Sequence, residues 1–219
     1  KGEILGIVGL AESGMHQLGQ ILFGLKKPFL GSVSVINQDG TASIVSDTEH
    51  AIKNKIGYVS KNRDKEALML LSSIKDNIVL PSLDLIRKGP YISPKSEKNM
   101  ATTFAEQMEV KMRDIEQYVI HLSGGNKQKV VLAKWLANGS DILILDCPTR
   151  GIDIGVKSNI YEMMKQWKKE GKAIIMISEE LPEAIGMSDR ILVFKDGAIT
   201  KEFERSESLT EQEIIQYMI

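Results

Sequence analysis

The stretch from Leu122 to Asp153, LSGGNKQKVVLAKWLANGSDILILDCPTRGID, contains the features that decide the fold. Its Ser-Gly-Gly start exposes backbone N–H groups at the positive end of a helix, which favours an anion site. The same pattern also makes an ordinary serine N-cap. Gly139 ends that helix, and an apolar run that begins at Ile142 ends in Asp146. A buried strand with a terminal aspartate is typical of a Mg²⁺ ligand position, and helix followed by buried strand predicts an α/β fold.

Strands and helices alternate on both sides of this stretch. Short strands are predicted at 4–8, 32–36, 55–59, 142–145 and 173–177. Between them, apolar residues recur at helical spacing, as from Val156 to Trp167. A hairpin is predicted at 191–200 around Asp196-Gly197. The alternation predicts a mainly parallel sheet covered on both faces, with peripheral antiparallel strands.

The middle of the chain, about 66–120, has helical periodicity and few strand signals. Ser73 followed by Asp76 is typical of a helix start. We interpret this region as a helical insertion, and we expect residues 206–219 to form a C-terminal helix.

A glycine turn follows the first strand, and Gly9 and Gly14 keep the Gly-x4-Gly frame of a phosphate-binding loop. A complete loop continues with Lys, which neutralises phosphates, and with Ser or Thr, which holds Mg²⁺. Met15 and His16 stand there instead, and Glu12 adds a carboxylate that repels phosphate. The turn alone is compatible with a relic that binds nucleotide weakly, or with a turn that serves packing only.

Together, these segments resemble the ATP-binding domain of ABC transporters over almost the whole chain. The resemblance implies an α/β fold with a P-loop NTPase (RecA-like) core. It implies one nucleotide-binding domain over 1–219, with a helical subdomain at 66–120 inserted between core segments 1–65 and 121–205. Since the chain starts on the strand that leads into the glycine turn, we expect this domain to be N-terminally incomplete.

Further segments are similar to the C-terminal halves of double-length import ATPases for ribose, galactose, xylose and related sugars. They are Tyr58-Val-Ser60 with Arg63, and the segments at 148–153, 178–183 and 186–191. In this family two domains meet head to tail, and the signature of one closes over the nucleotide of the other.

The resemblance assigns residues to four groups. The nucleotide loop is Gly9, Glu12, Ser13, Gly14, Met15 and His16. The signature, which acts in trans, is Leu122, Ser123, Gly124, Gly125, Asn126 and Gln128. The D-loop contains Gly151 and Asp153, and the Q-loop region contains Ser60 and Arg63.

Five positions depart from the family pattern, which predicts a weak or inactive site in this chain. Besides Met15 and His16, Ser60 replaces the Q-loop Gln, Cys147 replaces the catalytic Glu, and Glu179 replaces the switch His. A thiol cannot act as the carboxylate base. We therefore expect ATP and Mg²⁺ to bind weakly here, with Asp146 as the candidate Mg²⁺ ligand. The intact signature would complete a competent site on the N-terminal half of the same polypeptide.

Two of these departures admit other interpretations. Cys147 is expected to be a small buried apolar side chain in preference to a reactive thiol. His16 has no second His or Cys at ligand spacing in the sequence, so we expect a packed or solvated side chain and no metal site.

Composition limits the remaining classes of function. Twenty-eight Lys and Arg against 29 Asp and Glu disfavour nucleic acid as a partner, and no apolar stretch is long enough to span a membrane. The single cysteine excludes an intramolecular disulfide and fits a reducing compartment. Lys129 stands where a guanine-reading Asp would be needed, which disfavours a GTP switch.

The resemblance also implies partners and a location. We expect membrane permease subunits, an extracytoplasmic sugar-binding protein, and peripheral attachment at the cytoplasmic face of the membrane. The alternatives are an ordinary ATP-hydrolysing ABC homodimer and a non-transport ABC regulatory protein.

Overall fold

The structure, a computed structural model, describes residues 1–37 and 39–219. The strands are β1 Glu3–Gly9, β2 Ser34–Ile36, β3 Ala42–Ile44, β4 Ile56–Val59, β5 Arg87–Lys88, β6 Tyr91–Ile92, β7 Ile142–Asp146, β8 Ala173–Ser178, β9 Arg190–Lys195 and β10 Ala198–Glu204. The α-helices are α1 Met15–Leu22, α2 Thr48–Lys53, α3 Ile74–Val79, α4 Leu83–Ile86, α5 Pro94–Gln107, α6 Gly124–Ala137, α7 Ile154–Lys169, α8 Leu181–Met187 and α9 Glu211–Ile215. A π-helical turn spans Arg63–Ala67, and 3-10 turns span Leu80–Ser82 and Val119–His121.

The chain forms two compact units. The first contains residues 1–58, 141–148 and 158–219, apart from position 38. The second contains residues 59–140 and 149–157. The predicted insertion at 66–120 lies within the second unit, and its boundaries stay a prediction.

A six-stranded sheet organises the first unit, in the order β10-β9-β1-β8-β7-β4. β1 pairs in parallel with β8 and β9, β7 pairs in parallel with β8, and β10 runs antiparallel to β9. Asp196 and Gly197 both have positive φ, 51° and 78°, as the predicted β9–β10 hairpin requires. The mostly parallel sheet with antiparallel strands confirms the predicted α/β class.

The carboxyl ends of three neighbouring strands meet at one edge of this sheet. Val8 of β1 is in register with Ser178 of β8, and Asp146 of β7 is in register with Ile177. The residues that follow β1, β7 and β8 are therefore brought together, which is where open α/β sheets bind ligands.

Some elements differ from the sequence predictions. In the helix after the glycine turn, Met15 and Gly19 face the core, whereas Leu25 beyond its end is 53% exposed. A Cβ on Gly19 would lie 2.7 Å from Cδ1 of Ile177, so a larger residue there would have to displace this buried side chain. The C-terminal helix is five residues long, Glu211–Ile215, and not 206–219.

Further differences concern small antiparallel pairs. The strand predicted at 32–36 pairs as β2 with β3 in a separate two-stranded sheet. The mainly helical middle also contains a short hairpin, β5–β6, which the sequence did not indicate. Each strand of the β5–β6 hairpin has only two residues, which is too short to leave an alternating pattern.

Helices α3, α5 and α6 form the core of the second unit. Ser73 and Asp76 make the predicted capping box at the start of α3, since each side chain bonds the other residue's backbone N–H. The buried Asn77 side chain accepts from the Met69 N–H at 2.8 Å and donates to the Ser73 carbonyl at 2.9 Å. Gly139 has the left-handed φ of 66° that ends α6.

Lys134 of α6 gives the second unit a pH-dependent stability. Its side chain is nearly buried and donates to the Ala67 carbonyl. Burial lowers the pKa of Lys134 from its ordinary 10.5 to about 8. Between these two values the unfolded chain binds the proton more tightly than the folded chain, so Lys134 makes stability rise with pH.

We expect Lys134→Met to remove this rise. The difference in unfolding free energy between wild type and variant should change by about 3 kcal/mol in favour of wild type as pH increases from 8 to 10.5. Denaturant titrations over this range measure the difference. Lys165→Met, which removes an exposed lysine of the first unit, is the control for loss of a positive charge. A pH-independent difference for Lys134→Met would contradict the prediction.

Candidate functional site

The glycine turn between β1 and α1 is fixed by a left-handed glycine and by backbone hydrogen bonds. Gly14 adopts a left-handed conformation (φ 96°) and caps α1 without a side-chain hydrogen bond. The Ser13 N–H bonds the Leu10 carbonyl at 2.9 Å, and the Ser13 carbonyl accepts from the Gly197 N–H at 2.7 Å. The loop is therefore held against the β9–β10 turn.

Met15 supplies no charge to this loop. Its side chain is fully buried as the first residue of α1. A lysine at this position would neutralise phosphate charge. An apolar side chain turned into the core leaves only backbone N–H groups, whose partial charges are much smaller.

His16 bridges two carboxylates at the sheet edge. Its Nδ1 lies 2.7 Å from Oδ1 of Asp146, and its Nε2 lies 3.3 Å from Oε1 of Glu179. Asp146 is only 2% exposed, and its Oδ2 accepts a 3.2 Å hydrogen bond from the Tyr58 hydroxyl. Both oxygens of the predicted Mg²⁺ ligand are therefore engaged by side chains of this chain.

Cys147 lies beside this pair, which corrects two predictions. One donor atom each of His16, Asp146 and Cys147 lie within 4.8 Å of one another. His16 lies in the helix after β1, Cys147 follows β7, and both strands are neighbours of β8. The prediction that no cysteine lies within ligand distance of His16 is therefore wrong. Cys147 is also partly exposed and not a buried apolar side chain.

The donors at this edge differ from those that suit magnesium. Mg²⁺ prefers oxygen ligands in octahedral geometry and keeps several waters. Here the carboxylate of Asp146 contacts an imidazole, no hydroxyl follows Gly14, and a thiol is adjacent. The residues present therefore do not fit a Mg²⁺–nucleotide complex in this loop.

The signature segment begins α6 in the second unit. Ser123 is the N-cap and accepts from Asn126 through its backbone N–H at 3.5 Å and its side-chain amide at 2.9 Å. Asn126 in turn accepts from the Lys111 N–H at 2.8 Å. Ser123 is exposed and Gly124 is half-buried, whereas Gly125 is buried and the Asn126 N–H bonds Ser123, so only the start of this 14-residue helix is open to solvent.

Leu122 and Gln128 lie inside the second unit and support this turn. Leu122 is 8% exposed and Gln128 is 3% exposed. Arg63 donates to Gln128 Oε1 at 3.4 Å, which connects the predicted Q-loop region to the signature helix. Ser60, which precedes Arg63 in the same region, donates to Glu66.

Asp64 is a residue of this region that the sequence did not indicate. It accepts from Arg63 Nε at 3.0 Å and from Lys127 Nζ at 2.8 Å. Desolvation opposes ionisation of Asp64, but the hydrogen bonds and charges of Lys127 and Arg63 prevail and lower its pKa. A charge pair 63 positions apart in sequence leaves no periodic signal, so only the fold reveals it.

The predicted D-loop residues adjoin the signature within the second unit. Gly151 has a φ of 68°, and its carbonyl oxygen lies 3.4 Å from where a Cβ on Gly124 would be. A Cβ on Gly125 would lie 3.0 Å from both γ-methyls of Val156. Asp153 is exposed, and its carbonyl accepts from the Lys157 N–H at 2.9 Å. Gly125 therefore allows close packing of the 149–157 segment, whereas a Cβ on Gly124 would make only ordinary contact.

In residues 1–37 and 39–219 no helix combines the length and the apolar character that crossing a bilayer requires.

Comparison with known proteins connects these features to one family. The family model described as "ABC transporter" matches residues 1–150. The chain is 42% identical over 216 residues to "Ribose import ATP-binding protein RbsA" of Halalkalibacterium halodurans, covering 99% of this chain and 42% of the relative. It is 41% identical over 210 residues to "Putative ribose/galactose/methyl galactoside import ATP-binding protein 1" of Rhizobium etli, covering 96% and 40%. The chain thus spans about two fifths of the length of the curated relatives it matches.

Solved structures agree with this assignment. A dimeric ATP-binding cassette in a post-hydrolysis state with ADP and Pi superposes with a TM-score of 0.78 at 27% identity, covering 94% of this chain and 86% of the other. A nucleotide-free ATP-binding cassette from an ABC transporter gives a TM-score of 0.80 at 17% identity, covering 100% and 88%, which concerns the fold alone. The fold is that of an ABC ATPase cassette, as predicted.

Proposed function

This chain belongs to the ABC transporter family, and we propose that it serves a sugar importer as a nucleotide-binding domain. In this proposal the nucleotide loop of this chain is degenerate. We further propose that its signature completes the ATP site of an N-terminal half on the same polypeptide. Family membership implies ATP and Mg²⁺ as the ligands of such paired domains.

The contact between His16 and Asp146 carries the proposal of a degenerate site. The carboxylate that would hold Mg²⁺ is 2.7 Å from an imidazole nitrogen and accepts from Tyr58 on its other oxygen. Nucleotide phosphates bring negative charge, and Met15 offers no cation against it. Glu179, at the position of the switch His, and Cys147, at that of the catalytic Glu, supply neither a cationic donor nor a carboxylate base.

The signature supports the second half of the proposal, because an exposed serine begins a long helix there. Ser123 is exposed, its hydroxyl oxygen accepts from the Asn126 side chain, and α6 starts at the half-buried Gly124, where the helix end favours an anion. The N–H groups at this helix end would contact the phosphate of a nucleotide held by another domain. The 149–157 segment packed beside them would position Asp153 in the same interface.

We infer that the complete protein works with membrane permease subunits and, through them, with an extracytoplasmic sugar-binding protein. The names of the relatives, which describe import ATP-binding proteins, support this inference. Leu71 and Leu80 of the second unit are 75% and 50% exposed, and such apolar side chains suit a docking surface. The protein would then attach peripherally to the cytoplasmic face of the membrane.

ATP turnover by the isolated chain tests the degenerate site. We expect the rate to lie roughly 10²–10⁴-fold below that of a competent ABC domain, because the general base and the positioning groups are missing. Turnover of order one per second at any concentration of this chain would contradict the proposal, and a rate that rises with the square of concentration would favour the homodimer alternative.

The matched control restores the family residues as Met15→Lys, His16→Thr and Cys147→Glu. His16→Thr releases Asp146 and adds the missing hydroxyl, so nucleotide affinity measured by calorimetry should increase. Because Met15 is fully buried, the lysine must turn toward the loop, and a thermal melt should accompany each titration. Unchanged affinity in a folded triple variant would show that Glu12 or the loop's packing is the stronger block.

A further inference from the structure

An imidazole, a carboxylate and a thiol meet where the predicted magnesium site lies. We propose that His16, Asp146 and Cys147 bind a divalent transition metal, with Zn²⁺ as the representative ion. The proposal does not depend on how the chain pairs with another domain, since all three residues belong to the first unit.

The donor set favours zinc over magnesium. Zinc accepts imidazole nitrogen, thiolate sulfur and carboxylate oxygen, whereas Mg²⁺ prefers oxygen alone. Three protein ligands leave the fourth zinc position to water. Structural zinc sites have four protein ligands, so this site would be an open one whose water can exchange. The same substitutions that remove nucleotide chemistry from this edge therefore provide a different ligand set.

The distances suit such an ion. Zinc bonds of about 2.0–2.3 Å in a tetrahedron place neighbouring ligand atoms about 3.3–3.8 Å apart. The donor atoms of the three residues lie within 4.8 Å of one another, and Nδ1 of His16 is 2.7 Å from Oδ1 of Asp146. Side-chain rotations that move these atoms by about 1 Å would bring all three into the zinc range.

Neighbouring side chains already orient two of the ligands. If Nδ1 of His16 binds the metal, Nε2–H donates to Glu179, whose Oε1 lies 3.3 Å away. The Tyr58 hydroxyl holds Oδ2 of Asp146 at 3.2 Å, which directs Oδ1 toward His16. Metal-binding histidines commonly donate their second ring N–H to a carboxylate, which fixes the ring and makes its other nitrogen a better ligand.

The backbone fixes the third ligand. Cys147 has a backbone φ of 48°, an uncommon value for a residue other than glycine. Its N–H donates to the Ile177 carbonyl at 2.8 Å. This conformation directs the chain away from β7 immediately after Asp146. Cys147 is partly exposed, so a metal ion has a path from solvent. Binding as the thiolate releases the thiol proton to solvent, which balances the step.

Titration of the full chain with Co²⁺ tests the site, because cobalt replaces zinc in such sites and its absorption spectrum reports thiolate coordination. We expect one equivalent of Co²⁺ to give a sulfur-to-metal charge-transfer band and the intense visible bands of four-coordinate cobalt. Zn²⁺ should displace it stoichiometrically, and millimolar Mg²⁺ should not. An absent charge-transfer band, or displacement by equimolar Mg²⁺, would overturn the proposal.

Variants localise the site. Cys147→Ser should abolish the charge-transfer band, and His16→Gln should weaken Zn²⁺ affinity by at least about 10-fold in chelator competition. His121→Gln, which alters an exposed histidine of the second unit, is the control and should bind as wild type. Equal affinity in all three would overturn the proposal. The wild-type spectrum itself decides the question if a ligand variant fails to fold. No step of this test uses ATP turnover, so its outcome is separate from that of the proposed function.

Discussion

Gly124→Asp is expected to abolish ATP turnover by the complete transporter while leaving this chain folded. The substitution places a carboxylate on the first turn of α6, where the proposed function requires a phosphate. A unit charge about 5 Å from a phosphate costs about 3 kcal/mol at an effective dielectric of 20. That energy corresponds to a loss of about 100-fold or more in rate.

The chain itself should tolerate this aspartate. A Cβ on Gly124 would lie 3.4 Å from Nη2 of Arg63 and 3.4 Å from the Gly151 carbonyl oxygen, which is ordinary contact. A carboxylate in the first turn of a helix is stabilising by about 0.3–1 kcal/mol, and the Arg63 guanidinium adds an attractive partner. The melting temperature of the isolated chain should therefore stay the same or increase slightly.

Gly139→Asp provides the matched control, because it adds the same charge at the opposite end of α6. Gly139 is exposed, and no heavy atom of the described chain beyond its neighbours lies within 4 Å of a Cβ built there. Its φ of 66° is one that aspartate tolerates better than most residues. Turnover of the complete transporter should be unaffected. If Gly124→Asp retained wild-type turnover, the signature would not be acting on a nucleotide in trans.

Local pattern was sufficient for much of the fold. The buried runs at β1, β7 and β8 are continuous and short, and the β9–β10 hairpin has an Asp-Gly turn, so each is encoded by neighbouring residues. The cap at Ser73 and the end of α6 at Gly139 are equally local. Such features depend on backbone chemistry over a few positions, and the structure contains them where the sequence placed them.

The candidate metal site could not be predicted in this way. His16 and Cys147 are distant in sequence, and they meet only because β1 and β7 are both neighbours of β8. Strand order in a parallel sheet is set by crossover connections, which hydrophobic periodicity does not determine. The inward orientation of Met15 was missed for a related reason. The glycine frame suggested a phosphate loop, whereas packing beneath α1 decides where the next side chain points.

Met15 and Cys147 stand where the family pattern has a lysine and a glutamate. The sheet edge therefore has two fewer charged side chains, which affects the stability of the folded chain. A competent ABC site keeps buried charges that must be compensated, which is costly without a bound ligand. Here one apolar side chain and one thiol take their places, and His16 accompanies the remaining carboxylate. An edge with fewer charges to compensate is consistent with the proposed function, in which this domain contributes its signature.

Gly24→Ala is expected to be the most destabilising glycine substitution in the first unit. Gly24 follows α1 with a φ of 76°, and a Cβ there would lie 2.4 Å from the carbonyl carbon of Asp47 and 2.5 Å from its oxygen. The left-handed conformation costs a residue with a side chain about 1–2 kcal/mol. Overpacking against backbone adds about 1–3 kcal/mol. We therefore expect a loss of roughly 2–5 kcal/mol and a fall in melting temperature of about 10 °C.

The Asp47 backbone cannot move aside easily, because the same residue caps α2. Its side chain accepts from the His50 N–H at 2.9 Å, and its carbonyl accepts from the Ala51 N–H at 3.1 Å. Gly31→Ala separates the two contributions, since Gly31 has a similar φ of 81° and no described heavy atom beyond its neighbours within 4 Å of a Cβ. It should lose only about 1–2 kcal/mol. Equal losses for the two variants in denaturant titrations would mean that Asp47 yields, and that conformation alone explains the requirement for glycine at position 24.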